Sequence, residues 1–413
     1  MRVEVKEVKG AEPTADVVGT GESLVAQTFR WGRWPLQWSQ DGGAHWQRST
    51  VPTSDEASRD GDQAVVALAD LVFVISGSAG SGGPPAPPFI WVSTDEGRSF
   101  AAGAGVATGL GPGAVRAIVR VDDRLVALGN ATTPDGASGP VRWESTDEGR
   151  TWSRSDVVGV EDADVFPRSV AAASGALVAT VETLSGTPPA LVRRGTNLLR
   201  SPDGGRSWKT VDLGASLDEG EILFNVESLD GLLAVRSQQR TWTSGDDGET
   251  WHKLAAAPVV LDAEGTQPDG TESGGVEIVD SSGDRLVAQV PTSYNPDHYL
   301  DHLAWSDDRG MTWRVADMGV DCRGPEATSR LDGPIRIDSV LVAAWTCTGS
   351  DDRGGRVLIS TDDGRTWAPE RTAGLDQMTL TRPVLLHGDL VVALGAENSE
   401  QSVDVTVQVT VEP

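Results

Sequence analysis

Short apolar runs led by leucine punctuate the chain: Leu24-Val25-Ala26, Leu71-Val72-Phe73, Leu125-Val126-Ala127, Leu177-Val178-Ala179, Leu232-Leu233-Ala234, Leu286-Val287-Ala288, Leu341-Val342-Ala343 and Leu390-Val391-Val392. Their starts are 47, 54, 52, 55, 54, 55 and 49 residues apart. Most follow another apolar stretch and a tight turn, as in Ile118-Val119-Arg120-Val121-Asp122-Asp123-Arg124-Leu125, which is a β-hairpin pattern. Consecutive apolar residues suit strands covered on both faces. A hairpin recurring at this period predicts a repeat architecture. Near the C-terminus Val403, Val405, Val407, Val409 and Val411 alternate with other residues, and Val3 and Val5 do so near the start. Both stretches read as strands. The C-terminus is expected to supply three strands of a last repeat and residues 2 to 8 its outer strand, closing a ring and removing an edge.

A second repeat lies between the runs. The octet Ser-x-Asp-x-Gly-x-(Thr/Ser)-Trp begins at Ser39, Ser93, Ser145, Ser201, Ser244, Ser306 and Ser360. His45 replaces the hydroxyl residue in the first copy, and Phe100 replaces Trp in the second. Its physics is that of a turn between two strands. An Asp carboxylate accepts hydrogen bonds from its own turn, Gly supplies positive φ, and the aromatic residue opens the next strand with a large apolar face.

This octet resembles the Asp box, or BNR repeat, of sialidases, xyloglucan-degrading glycosidases, sortilin-like receptors and photosystem assembly factors. The resemblance implies an all-β chain. Residues 1–413 would form a single β-propeller of four-stranded antiparallel blades, with the octet between third and fourth strands. Eight Leu-led hairpins predict eight blades; seven blades with an appended C-terminal hairpin is the alternative. Function is less constrained, because the family spans enzymes, receptors and chaperones.

Composition narrows the partners. The formal net charge is −27, which opposes phosphate-backbone binding and favours solubility and cationic partners. No apolar run approaches the roughly 18 residues of a membrane span. No export signal is visible in Met1-Arg2-Val3-Glu4-Val5. A monomer is expected. The localisation expected is secreted or cell envelope, with a leader already removed, and the alternative is cytoplasmic.

In the family's geometry, function belongs to the face opposite the octets, formed by loops between blades and between second and third strands. Cys322 and Cys347 both fall at that end of blade seven, so a disulfide in an oxidising compartment is expected, against two buried thiols. Of the 14 Trp residues, six close octets and Trp38, Trp91, Trp143, Trp242 and Trp305 closely precede one, which reads as packing. Trp31, Trp34 and Trp345 remain. Arg30, Trp31, Arg33 and Trp34 in the blade-one loop suit a sugar ring or an anionic ligand. The blade-six loop holds Tyr294, Asp297, His298, Tyr299, Asp301 and His302. Asp297 and Tyr299 are candidate ligand contacts. His298 and His302, four apart, are candidate ligands for a divalent metal. No other cofactor is expected.

Sialidase-like chemistry would need three arginines, an acid and an activated Tyr. Tyr294 or Tyr299 and Arg30 are candidates, with Arg193, Arg194, Arg240 or Arg323 to complete a triad. The family's Arg-Ile-Pro motif is absent from the sequence. Three readings follow: a module binding a glycan, peptide or protein; a glycoside hydrolase, whose carboxylates would include those of Glu161 to Asp164 or Asp262 to Glu264; and a metal-dependent enzyme using the blade-six loop.

Overall fold

The computed structural model describes residues 2–11, 14–20, 23–28, 36–41, 43, 45–52, 63–68, 71–76, 87–132, 136, 138–160, 165–185, 192–214, 217, 221–257, 275–290, 302–320, 322, 328–348, 354–370, 378–380, 384–386, 390–397 and 404–412. Among them there is no helix. Seven sheets have four antiparallel strands in sequence order and form the blades of a β-propeller. They span residues 14–48, 63–102, 113–155, 165–210, 223–253, 277–315 and 328–370. First strands of successive blades touch one another and so make the inner ring, as Gly113–Val121 does with Val165–Ala172. Outer strands such as Gln47–Arg48 are two or three residues long, which keeps each sheet edge short.

The eighth Leu-led run does not build an eighth regular blade. Leu390–Glu397 belongs to a five-stranded sheet with Met378–Leu380, Val384–Leu386, Asp404–Glu412 and Arg2–Ala11. Arg2–Ala11 pairs antiparallel with Asp404–Glu412, Val3 opposite Val411 and Val5 opposite Val409. The terminal sheet touches the first strand of blade one and the strands of blade seven. The count of regular blades is therefore seven, with the two ends of the chain pairing to close the ring. The eighth differs because it has no octet and because two short strands, not one, pair with Leu390–Glu397.

The octets form one repeated turn. In blade three the Ser145 hydroxyl donates to Asp147 at 2.8 Å and accepts the Gly149 N–H at 2.9 Å. Asp147 accepts the Thr151 N–H at 2.9 Å and its hydroxyl at 2.7 Å. In the first copy His45 substitutes for the hydroxyl, its Nδ1 standing 2.6 Å from Asp41. Phe100 is buried, as are Trp152, Trp208, Trp251, Trp313 and Trp367, whereas Trp46 is half-buried. The Asp at the third position of each octet is thus engaged by its own turn.

The two sequence repeats meet across the blade boundaries. Gly97 of the blade-two octet has φ +86°, and a methyl group on it would lie 2.1 Å from Cγ2 of Val25 in blade one. Gly248 and Gly364 approach Val178 and Val287 of their preceding blades in the same way. At these three positions the octet glycine of one blade seats on the apolar run of the blade before it, whereas Gly310 lies against Leu254. Residues just past an outer strand add parallel bridges to the next octet, such as Thr50 to Ser99 and Val158 to Ser207.

Candidate functional site

The turns at one end of the sheets are occupied by the octets, so the opposite end carries the loops free to vary. Among the described residues, blades five and six bring several polar side chains together there. The first strand of blade five, Leu223–Leu229, breaks register between Leu223 and Val226, so that Phe224 and Asn225 form a bulge. Bulges re-aim side chains and are common beside sites. The second strand, Leu232–Ser237, brings Arg236, and the third, Thr241–Ser244, brings Thr241. The first strand of blade six, Glu277–Ser282, brings Glu277.

These residues, with Glu227, line a recess of about 80 Å³ between the inner strands of the two blades. Arg236 organises it. Its guanidinium lies 5.0 Å from the Phe224 ring centroid and 2.8 Å from the Glu277 carboxylate. Asn225 is exposed, and Phe224, Glu227, Arg236 and Glu277 are half-buried. An aromatic ring, an amide, a guanidinium and two carboxylates therefore share one small opening.

The rim is rigidly held. Thr241 donates its hydroxyl to the Val276 carbonyl at 2.6 Å, and the Gly275 N–H donates to the Gln238 carbonyl at 2.9 Å. These two bonds tie blade five to blade six. Buried Glu221 accepts from Arg240 Nε at 3.1 Å, from Arg240 Nη2 and from the Ser237 hydroxyl. The loop joining the strands that carry Arg236 and Thr241 is thereby fastened at both ends. Neighbouring blades carry comparable ion pairs, with Arg168 2.8 Å from Glu182 and Arg330 3.1 Å from Asp332.

Several residues singled out from sequence lie outside the described residues: Arg30, Trp31, Arg33, Trp34, Tyr294, Asp297, His298, Tyr299, Arg323, and the stretches 161–164 and 262–264. Arg193 and Arg194 fall in the third strand of blade four, Val192–Ser201. His302 opens the third strand of blade six, His302–Ser306, and is buried. Among the described residues no group of three His, Cys, Asp or Glu is placed to hold a metal. Arg240 is committed to Glu221 and to the Trp242 ring, 5.6 Å away, instead of facing a ligand carboxylate. Trp345 is core, 2% exposed. Cys322 and Cys347 are joined in a disulfide, with Cα atoms 5.7 Å apart.

The recess itself was not singled out from sequence. Its signal was present in Phe224-Asn225-Val226-Glu227, where an amide and a carboxylate interrupt a stretch that in blade two reads Ala64-Val65-Val66-Ala67. The partner from blade six, Glu277, lies 50 residues away in a separate repeat, and no local pattern announces it.

No protein-family model matches the chain, and no curated protein matches it. Among solved structures, a PL25 ulvan lyase bound to -[GlcA(1-4)Rha3S]- is similar over 89% of this chain and 98% of its own, at 10% identity and a TM-score of 0.50. YCF48 from Cyanidioschyzon merolae is similar over 98% of both chains, at 14% identity and a TM-score of 0.48. The GH74 enzyme of Niastella koreensis is similar over 96% of this chain and 73% of its own, at 14% identity and a TM-score of 0.43. At 10% identity the likeness to the ulvan lyase is one of fold, and the seven four-stranded sheets are those of a β-propeller.

Proposed function

We propose that this chain is an exported propeller of the Asp-box type that binds a glycan on the face opposite the octet turns. The observation that carries the reading is the recess between blades five and six. A sugar is recognised by an aromatic face together with a few positioned polar groups, and Phe224, Asn225, Arg236 and Glu277 supply both at one opening. The Asp at the third position of each octet is held by hydrogen bonds of its own turn, as at Asp147 and Asp246. The Cys322–Cys347 disulfide supports an oxidising compartment.

The test is a glycan array followed by calorimetric titration of the best hits. The expected result is saturable binding that Phe224→Ala weakens about tenfold or more, a loss of about 1.4 kcal/mol. Unchanged affinity in Phe224→Ala would move the site elsewhere. A hydrolytic version of the reading has one specific support, the two carboxylates Glu227 and Glu277 in one recess. Release of reducing sugar by the intact protein, abolished in Glu227→Gln or Glu277→Gln with folding retained, would establish it.

A further inference from the structure

Arg2–Ala11 stands at the end of the terminal sheet. It pairs on one side with Asp404–Glu412 and, among the described residues, has no strand on the other. It is 10 residues long, where the outer strands of the seven blades have two or three. Such an edge presents a row of N–H and C=O groups to any extended chain that can lie beside it. Proteins blunt open edges with short strands, proline, bulges or charge. This strand is long, holds no proline, and shifts register only between Lys9 and Ala11. Charge is the remaining device, and its pattern selects the occupant.

Two copies of one strand related by a two-fold axis pair antiparallel, and one residue then stands opposite itself. Residues directly opposite share a face of the sheet, and like charges there are destabilising. Centring on Arg2, Glu4, Lys6, Glu7 or Lys9 sets a charged residue against itself. Centring on Val8, Gly10 or Ala11 brings the register shift at Lys9–Ala11 into the pairing. Centring on Val3 overlaps only Arg2 to Glu4. Centring on Val5 overlaps Arg2 to Val8, sets Val5 against Val5, and sets Glu4 against Lys6 twice. An opposite-charge pair and an apolar pair both favour that register.

We propose that a second copy of this chain occupies the edge, in a two-fold dimer whose Arg2–Val8 segments pair antiparallel about Val5 and join the two terminal sheets into one. The dimer takes the place of the monomer expected from the sequence, and it uses none of the residues that line the recess between blades five and six. Within the chain's own sheet Glu4 stands opposite Thr410 and Lys6 opposite Gln408, neither of them charged. Reversing either charge therefore sets no like charge opposite it there.

Sedimentation velocity of the intact chain over a wide range of concentration tests this. The expected result is a species of twice the 43.4 kDa chain mass. Lys6→Glu and Glu4→Lys should each weaken association about tenfold or more, and the double variant should restore it. Cysteine cross-linking reads the register. Opposite Cα atoms in an antiparallel pair lie about 4.5–5.5 Å apart, a separation that a disulfide spans, and the two native cysteines are already joined. Under mild oxidation Val5→Cys should link to itself, whereas Val3→Cys should link only when mixed with Glu7→Cys. Circular dichroism and melting verify the folding of each variant, and the charge-reversal set carries the test alone if a cysteine variant fails to fold. A monomer at every concentration overturns the proposal. So does a dimer indifferent to both charge reversals, which would be built on another surface. Self-linking of Val3→Cys as readily as Val5→Cys overturns the register and the pairing with it.

Discussion

Replacing Gly97 with alanine tests whether the two sequence repeats are read as one interface. Two costs act there. Its φ of +86° is one that side chains rarely adopt, and a Cβ in the left-handed region costs about 1–2 kcal/mol. The new methyl group would also lie 2.1 Å from Val25 Cγ2, where carbon atoms rest at about 3.5–4.0 Å. Overpacking of this kind costs about 1–3 kcal/mol. The sum is about 2–5 kcal/mol. Gly231, in the hairpin turn of blade five, separates the two terms. Its φ is +81° and no heavy atom outside its own neighbours lies within 4 Å of where a Cβ would stand. Gly231→Ala should therefore cost about 1–2 kcal/mol, the backbone share alone. The packing share should vanish in a Val25→Ala background, so that the double-mutant cycle yields a coupling of about 1–3 kcal/mol. Urea unfolding followed by tryptophan fluorescence measures the wild type and all four variants. Equal losses at Gly97 and Gly231, or no relief from Val25→Ala, would refute the seating of octet on run.

Four further outcomes follow from the same structure. Asp246 is held at about 2 by the Thr250 hydroxyl and N–H, and the Asp147 and Asp308 carboxylates are lowered by their Thr partners in the same way. At Asp41, Asp95, Asp203 and Asp362 burial opposes the shift and the turn hydrogen bonds outweigh it. A carboxylate depressed on folding stabilises above its unfolded value of about 4 and loses that stabilisation as pH falls toward its folded value. The melting temperature should thus be flat near neutrality and drop between about pH 4 and pH 2; a flat profile through that window would contradict the turn's role. Reducing the disulfide, or Cys347→Ala with Cys322→Ala, should cost about 3 kcal/mol for its 25-residue separation, read as a lower melting temperature. Arg142 is 2% exposed and donates to the Gly204 carbonyl at 2.7 Å, to Glu144 at 2.6 Å and to the Ser155 hydroxyl. Arg142→Ala should therefore cost about 3 kcal/mol or more, and Arg142→Lys should not restore it, since lysine lacks the planar fork. Glu221→Gln should weaken glycan binding without touching the ligand, by loosening the Ser237–Arg240 loop, and its amide-exchange rate there should rise.

The blade pattern was legible in the chain because each repeat encodes its own turn. Ser145, Asp147, Gly149 and Thr151 lie within seven residues and satisfy one another locally, so the octet reads correctly without knowledge of the rest. The closing of the ring was legible too, because Val3 and Val5 alternate as Val409 and Val411 do. What the sequence alone could not settle was the character of the eighth unit. An apolar run such as Leu390–Val392 specifies a covered strand but not how many strands pair beside it, and here two short segments share its edge.

The candidate site was decided by the tertiary structure. Phe224 and Glu277 come together only because blades five and six stack side by side and the bulge at Phe224–Asn225 turns the inner strand locally. Arg240 looked available for a ligand in the sequence, yet folding brings it to Glu221, 19 residues earlier. Turn chemistry is short-ranged and is therefore written in contiguous residues. The pairing of charges between neighbouring blades depends on register and on stacking, which only the folded ring supplies.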